Sequence, residues 1–164
     1  MAALKRKRAL PKRFLLPTLL LIFLAALMAY AGLRGTPSST SINGILCEEV
    51  HSLPLAYHWH TRLLLYNAGQ PVLIPANIGV RPNCMYWLHT HDATGLIHIE
   101  PTQNRLFTLS DFLGIWGVNI TATSFFGKPV LKPLNITVDG QPYRGDPGAI
   151  ELRDNRTIVI SSDP

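Results

Sequence analysis

The stretch "CMYWLHTHDATGLIHIE", residues 84–100, decides the fold because it has the pattern of a β-hairpin. Apolar and polar side chains alternate along both of its arms, and residues 92–95, "DATG", have the composition of a turn. If these four residues form the turn, His89 stands opposite His98 and shares a face with it. The sequence therefore predicts a hairpin in which histidines from the two arms lie side by side.

The two faces of this hairpin differ in chemistry. Alternate residues of a strand point to opposite faces, so one side is predicted to be a core face made of Tyr86, Leu88, Thr90, Ile97 and Ile99. The other side is predicted to carry Trp87, His89, His91, Leu96, His98 and Glu100. A shift of one residue in the pairing would move His98 and Glu100 away from His89 and His91, so the prediction depends on the register.

A second pair of histidines, His58 and His60, lies upstream in "YHWHTRLLLY" and also shares one face of a predicted strand. If that strand lies beside the hairpin, up to five histidines and a glutamate converge. Neutral imidazole is a common ligand of Zn²⁺ and Cu²⁺ and also binds iron, and a carboxylate completes many such sites. The order of preference for metal ligands is His89, His98, His91, His60, His58 and then Glu100.

The acidic residues of this region admit a second role. Asp92 and Glu100 are candidates to hydrogen-bond the ligand rings and orient them. The alternative for the paired histidines is a solvent-exposed polar face that happens to be rich in histidine. All six histidines fall between residues 51 and 98, which favours a site, although His51 stands apart in "EEVHSLP" and is expected to be an ordinary surface or hydrogen-bonded residue.

The rest of the body indicates a mostly β fold. Turn signals occur at residues 67–70, "NAGQ", and at Asp139-Gly140, and "RTIVIS" near the end is a further short strand. One short helix is predicted in "TLSDFLGIWG", with Thr108 as N-cap, Asp111 three residues on, and Gly117 at the end. Thirteen prolines and twelve glycines between short strands predict a small β-sandwich or a barrel-like domain.

The N-terminal region has the pattern of a membrane anchor. Residues 14–33 contain no charge and suffice for a helix that crosses about 30 Å of hydrocarbon. Residues 1–13 form a basic tail, so the N-terminus is predicted to be cytoplasmic. Residues 34–44 read as a linker, and residues 45–164 as an extracytoplasmic domain on a single-pass anchor. The alternative is a signal peptide cleaved after Ala29-Tyr30-Ala31, which would give a secreted protein.

The charge distribution argues against a nucleic-acid partner. The net charge is +5, but six of the fifteen basic residues precede residue 14, which leaves nine for the remaining chain against all ten acidic residues. The body therefore has no basic excess. The sequence also contains no Gly-x-Ser-x-Gly elbow and no glycine-rich phosphate loop, and no catalytic residue or protein partner can be named from it.

The two cysteines, Cys47 and Cys84, are expected to form a disulfide, because export makes such a bond permissible. The bond would close a loop of a few dozen residues and stabilise a small exported domain by about 3 to 4 kcal/mol. The alternative is that Cys84 is a thiolate ligand, since it precedes His89 by only five residues.

The same residues carry a resemblance. The upstream His-x-His strand, the Cys-x-x-Trp-Leu-His-Thr-His-Asp and Gly-x-Ile-His-Ile-Glu arms, and the Leu-x-x-Phe-x-x-x-Trp-Gly helix resemble a group of uncharacterised membrane-anchored or secreted bacterial proteins. The likeness covers roughly residues 45–120. It implies a shared exported domain and a shared site without implying a reaction.

Three functions remain open at this point. The first is a membrane-anchored, extracytoplasmic domain that binds copper or zinc, with Ca²⁺ and Mg²⁺ disfavoured because they prefer oxygen ligands. The second is a metal-dependent enzyme at the same site, either a zinc hydrolase or a cupin-like non-haem iron protein. The third is a structural or interaction module without a metal. An open coordination position beside a pocket would favour the second.

Overall fold

The computed structural model describes residues 20–28, 41–49 and 53–163, and the chain divides into two compact units, residues 1–38 and 39–164. In the first unit, residues 20–28 form a helix, α1, whose large apolar side chains are exposed. Within the described ranges, no helix combines the length and the apolar character of a membrane span. The predicted span 14–33 extends past the described helix on both sides, and the predicted basic tail lies wholly outside the described residues.

The second unit is mostly β, as predicted. Its described residues form one α-helix, α2 (Leu109–Trp116), and a 3-10 helix at Pro147–Ala149. Its described strands are β1 (Ser41–Ile42), β2 (Ile45–Glu48), β3 (Trp59–Asn67), β4 (Gln70–Val72), β5 (Met85–Tyr86), β6 (Leu88–His89), β7 (Leu96–Ile99), β8 (Phe107–Thr108), β9 (Ile120–Thr121), β10 (Ser124–Phe125), β11 (Lys128–Pro129), β12 (Asn135–Val138), β13 (Gln141–Pro142), β14 (Glu151–Leu152) and β15 (Arg156–Ser162).

The largest sheet has the strand order β13-β12-β15-β3-β7-β6, with β4 also paired to β3. The longest pairing is parallel and joins β3 to β15 over seven residue pairs, and the other pairs in this sheet are antiparallel. Smaller sheets are formed by β1-β2-β5, by β11-β10-β9 and by β14-β8. Over the described residues the strands do not close into a barrel, so the barrel-like alternative is wrong.

Burial alternates along the central strands. On β3, Leu63 and Leu65 are buried while Leu64 is only half-buried, and on β15 Ile158 and Ile160 are fully buried. On β7, Ile97 and Ile99 are also fully buried. These side chains belong to a single hydrophobic cluster, and each contributes about 1.5 to 3 kcal/mol by leaving water. The large sheet therefore has one core face, and the residues between these positions point to the other face.

The predicted helix is confirmed with its caps. At its start, the Thr108 backbone N–H donates to Asp111 Oδ2 at 2.9 Å, and at its end Gly117 has φ of 79° and donates to the Leu113 carbonyl. The helix buries Leu109, Phe112, Leu113 and Ile115 and contacts β6. It therefore supports the core face of the hairpin that bears the histidines.

The predicted linker contains part of the fold. β1 pairs with β2 through a turn at Asn43-Gly44, so the described β structure begins at Ser41 instead of Ile45. The predicted division into residues 1–13, 14–33, 34–44 and 45–164 otherwise stays a prediction. The 3-10 helix was not anticipated, although Asp146 caps it by accepting a hydrogen bond from Gly148 N–H, and an Asp before a proline is a recognisable signal for such a turn.

The disulfide prediction is confirmed. Cys47 on β2 is bonded to Cys84, which immediately precedes β5, and the two residues are 37 positions apart. A loop of that length corresponds to about 4 kcal/mol of stabilisation in the chain-entropy treatment. The bond rules out Cys84 as a thiolate ligand, because its sulfur is already bonded covalently.

Gly95 fixes the hairpin against β3. The Leu63 N–H donates to the Gly95 carbonyl at 2.8 Å, Gly95 has φ of +77°, and a Cβ at this position would lie 2.1 Å from the Leu63 oxygen. Only glycine allows this approach. Because Gly95 directly precedes β7, it holds that strand in its register with β3.

We expect Gly95→Ala to destabilise the domain more than Gly69→Ala does. Gly69 has φ of +78° and nothing within 4 Å of the place that a Cβ would take, so its variant suffers only the left-handed strain of about 1 kcal/mol. Gly95→Ala adds the backbone clash with Leu63. Urea unfolding of both variants measures the difference, and equal losses would show that the close approach at Gly95 does not matter.

Candidate metal centre

Three strands of the large sheet bring the histidines together. In the pairing of β3 with β7, His60 is the partner of His98, and in the pairing of β6 with β7, His89 is the partner of His98. The predicted register of the hairpin is therefore confirmed, and β3, which contains His60 and begins one residue after His58, does lie beside it. His98 sits on the middle strand with a histidine directly opposite on each side.

The remaining histidines surround the same ring. The centroid of the His98 ring lies 4.6 Å from that of His60, 4.5 Å from that of His91 and 5.3 Å from that of His89. The ring of His58 is 5.7 Å away. Five of the six histidines of the chain thus form one cluster. The sixth, His51, lies outside the described residues.

The cluster contains two groups of three that could each hold a metal ion: His58, His60 and His98, and His89, His91 and His98. In each group one nitrogen from every ring lies within 4.8 Å of the others. Two nitrogens bound at about 2.0 to 2.1 Å to a tetrahedral zinc are about 3.3 Å apart. The Nε2 atoms of His89 and His91 are already at this spacing, 3.2 Å.

His89 is fully buried and held in one tautomer. Its Nδ1 lies 3.0 Å from the Tyr86 carbonyl oxygen, which only accepts hydrogen bonds, so Nδ1 carries the proton and the lone pair of Nε2 accepts a hydrogen bond from His91 Nε2–H at 3.2 Å. Burial lowers the pKa of His89 to about 4, despite the opposing effect of Glu100. The ring is therefore neutral at physiological pH and turns the nitrogen that has the lone pair toward His91.

His89 is buried by residues 77–79, whose position beside β6 could not be predicted from the sequence. Asn77 N–H donates to the Thr90 carbonyl at 2.9 Å, and Thr90 N–H donates to the Ile78 carbonyl at 3.0 Å, so this segment runs along the free edge of β6. Gly79 completes the contact, because a Cβ there would lie 2.5 Å from the Leu88 oxygen and 3.2 Å from His89 Cβ. Asn77 and Gly79 both have a positive φ, which these two residue types tolerate. The spacing of residues along the sequence does not predict this conformation.

His98 has an unsatisfied nitrogen. Its Nδ1 is buried and makes no hydrogen bond within the described structure, although Glu100 Oε1 lies 3.5 Å away. Burial lowers the pKa of His98, and the neighbouring His91 and His60 lower it further. Leaving a buried polar atom unpaired costs about 1 to 3 kcal/mol. A cation next to this nitrogen and the carboxylate would satisfy both, so the donor set fits a metal ion.

The two acidic candidates have different positions. Glu100 Oε1 accepts from His58 Nε2 at 3.0 Å, so the carboxylate contacts the cluster directly. Asp92 instead accepts from the Thr94 backbone N–H at 2.9 Å and from the Thr94 hydroxyl, and these bonds lower the pKa of its carboxyl. Asp92 therefore stabilises the turn, and in the described structure it makes no hydrogen bond to an imidazole.

Sequence reasoning missed the residues that anchor β3. The His60 backbone N–H donates to Asp154 Oδ1 at 3.0 Å, and the Thr61 hydroxyl donates to the Arg153 carbonyl at 2.7 Å. Both partners lie more than ninety positions away, between β14 and β15, and become neighbours only because β3 and β15 pair in parallel. No local pattern signals such a contact.

A cavity of about 200 Å³ lies beside one end of the cluster. His58 and Glu100 form part of its wall, and Glu48 is held there by hydrogen bonds from Trp87 Nε1 at 2.8 Å and from the Thr102 hydroxyl at 3.1 Å. Glu49 and several apolar side chains, including those of Leu53, Leu55 and Met85, line the remainder. The histidine cluster is therefore open toward this cavity on the side of His58.

Comparisons with protein-family models, with curated proteins and with solved structures give no match for this chain. The assignment of the site therefore depends on its geometry alone.

The metal-free protein is expected to lose stability between pH 6.5 and pH 4. An unfolded histidine takes up its proton near pH 6.5, whereas His89 in the folded state does so near pH 4. Above pH 6.5 the ring is neutral in both states. Below it only the unfolded state binds the proton, so the free energy of unfolding falls by up to about 1.4 kcal/mol per pH unit for this group.

Urea unfolding at a series of pH values in chelator measures this slope. His89→Asn keeps an amide N–H for the Tyr86 carbonyl and removes the titrating ring, so its slope should be shallower than that of the wild type. His51→Asn is the matched control and should follow the wild type. Identical curves for His89→Asn and the wild type would contradict the assignment.

Proposed function

We propose that this chain is a metal-binding protein whose site is the histidine cluster of β3, β6 and β7. The observation that carries the proposal is the position of His98, which has a histidine directly opposite on each neighbouring strand and a buried nitrogen with no hydrogen bond. Neutral imidazoles at this spacing gain little from packing on each other. A bound cation gives a partner to the rings that coordinate it.

The chemistry of the donors favours copper or zinc. Imidazole nitrogen suits Cu²⁺ and Zn²⁺, which lie at the high-affinity end of the divalent series. Glu100 is the one carboxylate of the described structure that contacts an imidazole of the cluster at hydrogen-bond distance, so the oxygen-rich set that Ca²⁺ and Mg²⁺ require is not assembled. Iron remains compatible with histidines and one carboxylate. With Cys84 bonded to Cys47, a thiolate-type copper site is disfavoured.

We propose that the metal-binding domain works outside the cytoplasm, anchored by the apolar segment 14–33. The uncharged run and its basic N-terminal flank support this placement. The disulfide supports it independently, because such bonds persist mainly in oxidising compartments. Cleavage of the segment would give a secreted form of the same domain.

Metal content tests the proposal directly. The full chain, purified in mild detergent without a histidine tag, is stripped with chelator, loaded with Cu²⁺ or Zn²⁺, passed through a desalting column and analysed by mass spectrometry for metals. We expect the wild type to retain the ion. We expect His98→Ala to lose most of it, because His98 belongs to both groups of ligands.

His51→Ala is the matched control, because it also removes one imidazole but not one of the five that the described structure places in the cluster. It should retain as much metal as the wild type. Circular dichroism establishes that each variant is folded. The proposal fails if the folded wild type keeps no ion, or if His98→Ala keeps as much as His51→Ala.

A second candidate function is a metal-dependent enzyme, and the cavity beside His58 and Glu100 favours it. A bound metal would supply Lewis-acid chemistry at the cavity wall. The Glu100 carboxylate, with only 15% of its side chain exposed, lies where it could accept a proton from a group bound in the cavity. Leu53 and Leu55, which are 55% and 45% exposed, give the cavity an apolar wall against which such a group could pack.

Binding of azide to the copper-loaded chain tests whether a coordination position is open to this cavity. We expect a new ligand-to-metal absorption band that saturates with azide. Leu55→Trp, which fills the cavity, should weaken azide binding several-fold, whereas Leu131→Trp, at a 97% exposed position outside the cavity lining, should not. A spectrum unchanged by azide would indicate closed coordination and would argue against the enzyme.

A further inference from the structure

The two histidine groups share a single residue, His98, and lie on its two flanks. One group combines His98 with His60 of β3 and with His58, which precedes β3, and the other combines it with His89 of β6 and with His91, which follows β6. We infer that the centre holds two metal ions joined by the His98 ring, one on each flank. This inference rests on the proposed function and specifies its stoichiometry.

The spacing of the strands separates the two flanks. Neighbouring strands lie about 4.8 Å apart, so β3 and β6, on opposite sides of β7, are about 10 Å apart. A metal–imidazole bond is only about 2.0 to 2.1 Å long. An ion drawn to the β6 side by His89 and His91 therefore leaves His58 and His60 on the β3 side for another ion.

The number of donors also exceeds what one ion uses. Five imidazoles and the Glu100 carboxylate converge here, whereas a tetrahedral zinc takes four ligands. A single ion would leave at least one ring of the cluster without a metal, close to other rings and to the positive charge of the ion. Two ions that share His98 give every ring a ligand role.

The first ion has a prepared position on the β6 side. His89 is fixed by its hydrogen bond to Tyr86 and directs Nε2 toward His91, with 3.2 Å between the two Nε2 atoms. His98 completes this group with one of its ring nitrogens. All three rings bind as neutral ligands at this stage.

The second ion is assigned to the β3 side, between His58, His60 and Glu100. Here His98 Nδ1 lies 3.5 Å from Glu100 Oε1, too far for a good hydrogen bond, and is the buried nitrogen that has no partner. An ion at this place contacts the nitrogen and the carboxylate together. If Nδ1 serves this ion, Nε2 of the same ring is the nitrogen that remains for the first.

Bridging changes the protonation of His98. A neutral imidazole has one lone pair in the ring plane and one N–H. The first ion takes the lone pair, and the second forms its bond at the other nitrogen as the N–H bond breaks and the proton passes to solvent. The bridge is then a singly charged imidazolate, which lowers the repulsion between two divalent cations, as the Glu100 carboxylate does from the β3 side.

Copper makes the bridge measurable. The full chain, untagged and stripped of metal in mild detergent, is titrated with Cu²⁺, desalted, and measured for copper content by mass spectrometry and for unpaired spins by electron paramagnetic resonance. We expect two coppers per chain. Because an imidazolate couples two Cu²⁺ spins, we expect the low-temperature signal per copper to fall as the second equivalent binds.

A double variant provides the matched control. His58→Ala with His60→Ala removes two side chains that contribute nothing to the hydrophobic core and leaves the β6 group intact. It should bind one copper with a full spin count. His91→Ala removes an exposed ligand from the other group and should also reduce the copper content below two.

The outcomes separate this inference from the proposed function. One copper per wild-type chain, reduced in His98→Ala, would keep the metal-binding function and overturn the second ion. Two coppers with a full, uncoupled spin count would overturn the bridge. No retained copper in a folded wild type, together with no retained zinc, would overturn both.

Discussion

The pairing of β7 with β3 on one side and β6 on the other is the constraint on which the site depends. It places His60, His98 and His89 in one row across three strands. Because directly opposed residues share a face of the sheet, the three imidazoles project to the same side. The positions two residues away, just beyond the ends of these strands, add His58, His91 and Glu100, so a single register brings all six side chains together.

The hydrophobic core enforces that register from the opposite face. Ile97 and Ile99 alternate with His98 and are fully buried. A slip of one residue would turn both isoleucines out and bring His98 and Glu100 into the core, at a cost of several kcal/mol for the lost apolar burial alone. The approach of Gly95 to Leu63 removes the freedom to slip. The same apolar side chains that stabilise the domain thus align its ligands.

Local sequence patterns were sufficient for one part of the site and insufficient for another. The hairpin of residues 84–100 was predictable because its alternation and its turn both lie within seventeen residues. The parallel pairing of β3 with β15 was not, since it joins residues about ninety-five positions apart, and the anchoring of His60 by Asp154 follows from it. The role of Asp92 was open in the sequence, because a carboxylate after a histidine suits a hydrogen bond to the ring as well as an Asx turn.

The two sides of the histidine cluster differ in burial and rigidity, because the cluster lies at the edge of the sheet. The segment around Gly79 covers β6, so His89 is excluded from water, fixed in one tautomer and kept neutral. On the other flank His58 is exposed and meets a cavity, so its ring can move with little loss of packing. A rigid ligand lowers the entropy lost when an ion binds, and a movable ligand lets the coordination adapt to what enters the cavity. The two sides of the cluster therefore differ in rigidity and in access to solvent: the β6 side is fixed and covered, and the β3 side is open to the cavity.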